Sequence, residues 1–348
     1  MYLNFRWFGS DDPVRLRHLR QVPGVDGIVS ALHDVPSGDV WPRECLTRLR
    51  DDIESAGFRF SVVESLPVHE DIKLGLPSRD RLIDQFCESV TRMAEVGVTV
   101  LCYNFMPIFD WVRTDLSMPL ADGSTTMAYD DNALKTIDLS RGMGGLPAWA
   151  NNYDGPELAR LLEAFRSMSE ERLWEHLEYF LARVAPVAES SNIRLALHPD
   201  DPPWSVFGVP RIITTGEALE RVVRLVSSPA NGVTVCTGSL GARPGNDVPA
   251  TIRRLGSRVH FMHCRNVRVT GERQFEETPH PSASGDVDML AVFRALRDIR
   301  FEGPMRSDHG RMIWGEAGRP GYGLYDRALG TMYLQGLWEA VSQEPVLD

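Results

Sequence analysis

Four residues that ligate metals well stand at the ends of four β-type runs: His198 in IRLALHP, Cys236 in GVTVCTG, His263 in VHFMHCRN and Asp308 in GPMRSDHG. Each lies about one strand-plus-helix unit from the next, so a fold that sets successive strands side by side would bring all four to one place. Two imidazoles, a thiolate and a carboxylate form a donor set of borderline softness. It suits Fe(II), Mn(II), Zn(II) or Co(II), and suits Mg(II) or Ca(II) poorly because those ions prefer oxygen. A bound cation would also keep the thiol deprotonated. Taken singly, each residue has a plainer reading. A cysteine at a strand end is most often a small buried hydrophobe, and a histidine or aspartate there is a hydrogen-bonded cap. The convergence of the four is what points to an ion.

Further polar groups crowd the same segments. Arg306 precedes Asp308, and His309, Arg311 and Trp314 follow it in RSDHGRMIWG; Tyr322 and Tyr325 follow in GYGLYDRALG. His69 comes after ESLPV, and Asn104 and Arg113 come from LCYNF and the segment beyond it. Arginines beside a metal centre point to an anionic substrate, since a guanidinium holds a carboxylate through two parallel hydrogen bonds. The candidate substrate-binding set is therefore His69, Asn104, Arg113, Arg306, Arg311 and Trp314. Strand alternation sorts the histidines of VHFMHCRN: His263 shares a face with Val259 and Phe261, while His260 shares the other with Met262 and Cys264. An inward His263 makes His260 and Cys264 part of the strand–helix layer. By the same count Asp308 lies with Arg306, opposite Ser307 and His309.

The elements that must position these groups recur eight times: LNFRWFG, DGIVSAL, FRFSVVES, VTVLCYNF, IRLALHP, GVTVCTG, VHFMHCRN and GPMRSDHG. Helical patterns lie between them. In residues 78–97, Leu82, Ile83, Phe86, Val90, Met93 and Ala94 recur at the three- and four-residue spacing of one helix face. Strands alternating with helices imply parallel pairing through right-handed crossovers. Eight such units predict an α/β fold, a (β/α)8 TIM barrel forming one catalytic domain over residues 1–348, with its site at the C-terminal strand ends. One connection breaks the rhythm. Residues 106–156, after strand four, form a stretch of about fifty residues without a strong period, which predicts a lid or an oligomer contact.

Composition narrows the partners. The chain has 348 residues, 43% of them hydrophobic, and a formal net charge of -11. An acidic surface repels phosphate backbones and anionic membranes, so neither nucleic acid nor membrane is expected as a partner. No apolar stretch approaches the roughly 18 residues of a membrane span, and the N-terminal segment lacks the pattern of a secretory signal. Five scattered cysteines suggest reduced thiols and a cytoplasmic location.

VESLPVHEDIK, LCYNFMPIFDWVRTDL, LHPDDPPWSVFGVPRI, VCTGSLGARPGNDVP, RSDHGRMIWGE and GYGLYDRALG resemble the D-mannonate dehydratase family of xylose-isomerase-like barrels. The resemblance runs over nearly the whole chain. It implies conversion of D-mannonate to 2-keto-3-deoxy-D-gluconate and water in glucuronate catabolism, with Fe(II) or Mn(II) as cofactor. Carried over by position, it implies His198, Cys236, His263 and Asp308 as metal ligands and His309 with Tyr325 as the acid–base pair. A homo-oligomer acting on a small sugar acid is expected by the same analogy. Cys264, Ser307 and Asp34 depart from the family pattern, and the last bears on substrate identity. A metal-dependent sugar isomerase or epimerase, or a non-catalytic sugar-acid-binding relative, are the alternative readings.

Overall fold

The computed structural model describes residues 1–139 and 153–344, together with the backbone of 148–150. The chain lays down β1 (Tyr2–Arg6), β2 (Val25–Ser30), β3 (Arg59–Glu64) and β4 (Val100–Tyr103), then an insertion with β5 (Phe109–Val112), β6 (Asp115–Pro119), β7 (Thr125–Asp130) and β8 (Ala148–Ala150). It resumes with β9 (Arg194–Leu197), β10 (Asn231–Cys236) and β11 (Val259–His263), adds a hairpin of β12 (Asn266–Gly271) and β13 (Gln274–Thr278), and ends with β14 (Pro304–Arg306). The eight strands β1, β2, β3, β4, β9, β10, β11 and β14 pair in that order and close on β1 as a barrel. Every pairing in it is parallel. These are the eight runs read from the sequence, so the fold is the expected (β/α)8 barrel.

Alternation divides the apolar residues between two cores. Val29, Val62, Val100, Cys102, Ala196 and Phe261 fill the barrel interior. Residues of the opposite parity, such as Ile28, Val63, Leu101, Met262 and Cys264, pack under the helices. The register slips between Val233 and Thr234 opposite β11, so Val259 joins the outer layer rather than sharing the lumen with Phe261. The helix expected over 78–97 spans Arg79–Glu95 and buries Leu82, Ile83, Phe86, Val90 and Met93. Phe86 sets its edge against Phe180 at 5.0 Å, which ties this helix to Glu170–Ser190. Burial of such a side chain contributes about 1.5–3 kcal/mol.

The insertion differs from expectation. Its first half is a β-hairpin, not a structureless loop: β6 and β7 pair antiparallel around a turn in which Gly123 takes φ +82°. β7 then pairs with β13, giving an antiparallel sheet in the order β12, β13, β7, β6. Tyr129 and Phe275 face each other across that junction with rings stacked at 5.8 Å. Two insertions that leave the barrel after β4 and after β11 thus build one cap, which is pinned to the segment after β14 by paired hydrogen bonds between Thr125 and Met312. The RGMGGLPAWANN stretch lies outside the described residues apart from the backbone of 148–150.

Candidate active site and metal centre

His198, Cys236 and His263 follow or end three adjacent strands, and Cys236 is in register with His263. One donor atom from each lies within 4.8 Å of the others, and His198 Nε2 is 3.1 Å from His263 Nδ1. The His198 ring keeps Nδ1 on the Pro199 carbonyl at 2.6 Å, which leaves Nε2 turned to the cluster. Burial lowers its basicity, favouring the neutral imidazole that a metal requires. Cys236 caps the short helix Thr237–Gly241, and its Sγ accepts from Ser239 N at 3.4 Å and Ser239 Oγ at 3.2 Å.

Asp308 stands beside this group. Its Oδ2 lies 3.4 Å from Cys236 Sγ and its Oδ1 3.7 Å from His263 Nδ1. Arg265 and Arg306 reach the same carboxylate at 2.8 and 2.9 Å. Burial alone would raise this carboxyl, but His309, Arg306, His263 and Arg265 hold it well below the usual range. The buried nitrogen, sulfur and oxygen donors fit a divalent transition ion. A second donor group, Glu64, Cys102 and His263, lies in the same cavity. It is the poorer cradle: burial pushes the Cys102 thiol up, and Arg306 grips Glu64 through two hydrogen bonds of 2.8 and 3.0 Å.

Asp308 adopts φ +49°, a conformation that is uncommon outside glycine. The kink interrupts the alternation expected past β14. Ser307 turns outward to Thr331 Oγ1 at 3.1 Å, whereas Arg306, Asp308 and His309 all line the cavity. His309 Nδ1 meets Glu277 Oε1 at 3.0 Å, and its Nε2 meets the Tyr322 hydroxyl at 2.9 Å. Burial would raise the Glu277 carboxyl, yet His309, Arg265 and Arg113 bring it to about 2. An ionised Glu277 accepts only, so Nδ1 carries the imidazole proton and Nε2 receives the Tyr322 hydrogen. Burial pushes the Tyr322 phenol up, which keeps it protonated.

Of the residues expected to bind substrate, Asn104 and Arg306 line this cavity. The others do not. Arg113 is fully buried and spent on Asp201 and Glu277, at 2.9 and 2.6 Å. Arg311 is held by Asp326 and Asp122, each at 2.9 Å. His69 caps the helix Glu70–Leu74, with its ring accepting from Asp71 N, and lines a neighbouring groove. Trp314 is 75% exposed. Tyr325, expected as half of the acid–base pair, is 42% exposed and packs on Trp314 at 5.5 Å. It opens the helix Tyr325–Ser342, while Tyr322, three residues earlier, turns inward to His309. Glu277, Asp201, Arg265, Glu64 and Arg6 are buried neighbours of the candidate site that sequence reasoning missed. Each is a buried charge whose partner comes from a distant strand, and only their number among the acidic and basic residues was visible.

A closed barrel of eight parallel strands, with the candidate donors gathered at one set of strand ends, is a (β/α)8 TIM barrel. The crystal structure of a xylose isomerase domain protein from Planctomyces limnophilus shares the fold, with TM-score 0.56 and 13% identity over 98% of this chain and 99% of that one. A family model for D-mannonate dehydratase (UxuA) matches residues 1–346, and the chain belongs to that family. It is similar to mannonate dehydratase 2 of Halalkalibacterium halodurans, 51% identical over 98% of this chain and all of that one. The mannonate dehydratase of Thermotoga neapolitana is 52% identical, over 99% of this chain and 98% of that one. The crystal structure of mannonate dehydratase from Streptococcus suis superposes with TM-score 0.91 at 46% identity, over 98% and 95% of the two chains.

Proposed function

We infer that this chain dehydrates D-mannonate to 2-keto-3-deoxy-D-gluconate, a step of hexuronate breakdown, using Fe(II) or Mn(II). The observation that carries the reading is one cavity lined by His198, His263 and Asp308 and by the His309–Tyr322 pair. Imidazole and thiolate donors select a first-row transition ion over Mg(II) or Ca(II). A divalent ion on His198, Cys236, His263 and Asp308 would supply Lewis-acid stabilisation of the charge that grows on the substrate carboxylate as C2 loses its proton.

His309 takes that proton at Nε2, once the Tyr322 hydroxyl has turned from it to the substrate. The C–H electron pair becomes the C2–C3 double bond as the C3–O bond breaks. Tyr322 protonates the departing hydroxyl, which leaves as water. His309 then returns its proton to the Tyr322 phenolate across their 2.9 Å contact, so the pair is reset. Glu277 holds Nδ1 in place throughout. The resulting enol gives up its C2 hydroxyl proton and gains one at C3, and so becomes the 2-keto acid with no net change in protons.

The test is incubation of anaerobically metal-loaded protein with a panel of hexonates. D-mannonate should release a 2-keto-3-deoxy acid; saturable binding with no keto acid would overturn the reading in favour of a binding protein. A cytoplasmic setting is part of the proposal and is in keeping with five free cysteines. A homo-oligomer is supported by the exposed apolar side chains of Trp314, Tyr325, Leu329 and Met332, which fall close together in sequence. Light scattering measures it directly.

A further inference from the structure

Beside the candidate active site lies a second cavity, and the two share Ser65, Asn104 and Asp110 in their walls. Its floor carries Glu70, which is 4% exposed, and Lys73, also buried. Lys73 Nζ donates to Glu70 Oε1 at 2.8 Å and to the Met106 carbonyl at 2.7 Å. Glu70 Oε2 has no hydrogen-bond partner, although it is buried. An unpartnered carboxylate oxygen is costly to bury unless a donor from elsewhere satisfies it. At the junction, Asn104 Nδ2 donates to Asp110 Oδ1 at 3.0 Å, and the Asn104 carbonyl oxygen accepts from Met106 N. Asp110 thus stands between the metal-side cavity and Glu70.

None of these groups serves the chemistry at C2 and C3. Carboxylate oxygens lining the wall of a cavity would repel the anionic end of a sugar acid and attract neutral hydroxyls, which can donate. Arg6 and Arg306 line the metal-side cavity, while Lys73 in the second is paired with Glu70, and the exposed Arg160 also lines it. The two cavities in sequence can therefore take an aldonate with its anionic head at Arg6 and Arg306, then the reacting carbons, then a hydroxylated tail beyond Asn104.

We propose that Glu70 and Asp110, with Asn104, form the subsite for the hydroxyl tail of the substrate and set its chain length. The inference rests on the dehydratase reading for the orientation of the bound acid. A hydroxyl that donates to a carboxylate discriminates by about 10- to 100-fold against an analogue lacking it.

The experiment compares D-mannonate with D-lyxonate, the five-carbon acid of the same configuration at C2 to C4, in the metal-loaded wild type and in Glu70→Gln and Asp110→Asn. Wild-type kcat/KM should favour mannonate by about tenfold or more. Each variant should lose most of that preference, with the loss on mannonate appearing in KM. Glu70→Gln leaves Lys73 without its ion pair, so Asp110→Asn decides the matter if the first variant does not fold. A wild type indifferent to chain length, or a preference unchanged in Asp110→Asn, overturns the subsite. Calorimetric titration of both acids runs in parallel. If no keto acid forms, a binding preference for mannonate that Asp110→Asn abolishes upholds the subsite while the dehydratase reading falls; equal binding of both acids removes the subsite as well.

Discussion

The two halves of the proposed active site are built in different ways. The metal half stands on barrel strands: His198, Cys236 and His263 end or follow neighbouring parallel strands, and their spacing along the chain follows the repeat of the fold. The proton-transfer half hangs from the cap. His309 is set by a kink after the last strand, Tyr322 by the segment before the final helix, and Glu277 by a hairpin strand that pairs with an insertion more than a hundred residues away in sequence. Chemistry placed on a repeating scaffold follows a rule, whereas chemistry placed by contacts between excursions does not.

Separating the halves by mutation is the sharpest way to test that contrast. Cys236→Ser should have the largest effect, with loss of bound ion and of turnover together; metal analysis checks it, and a variant that retains stoichiometric metal would remove the thiol from the donor set. His309→Asn should lower turnover about 10²–10⁴-fold with metal content unchanged. Tyr322→Phe should fall in the same range, and Tyr325→Phe should change the rate by less than about twofold, as exposed substitutions usually do. Steady-state kinetics on this pair decides between the tyrosines. Glu277→Gln should cost about 10- to 100-fold, the usual penalty for removing a group that orients a catalytic one.

The smallest effect concerns the barrel wall. His260, on the outer face of β11, donates from Nδ1 to the Leu195 carbonyl at 2.7 Å, and burial lowers its pKa from 6.5 to about 4. The neutral ring is thus favoured in the folded chain. Its contribution is complete above about pH 6.5 and is lost as the pH falls toward 4. Denaturation midpoints at pH 7 and 5 should differ in the wild type and converge in part in His260→Gln, with no corresponding change in the Glu277–His309 pair.

Seven of the eight barrel strands could be read from sequence because each combines β-branched or aromatic residues with a polar stop, which GPMRSDHG does not, and the helix over 78–97 because its apolar residues keep one face. The four candidate ligands were readable for the same reason. The cap was not. β6 alternates only weakly between half-buried and exposed positions, and QFEET gives no sign that Glu277 is buried while Glu276 is not. Arg113 and Arg311 were assigned to substrate by proximity in sequence, but a guanidinium is claimed by whichever carboxylates the tertiary fold brings within reach. Tyr325 was implied by the family resemblance, carried over by position, and neither periodicity nor spacing fixes the phase of the turn that sets Tyr322 inward instead.

The shared sheet of β12, β13, β7 and β6 has a consequence for exchanging parts among relatives. Each excursion is a hairpin, but the ladder that joins them takes β7 from one and β13 from the other, so transplanting one alone would leave its partner with an unmatched edge and His309 with a displaced carboxylate. Chimeras should work when both travel as a pair, and substrate range is then inherited from two separate stretches of the gene at once.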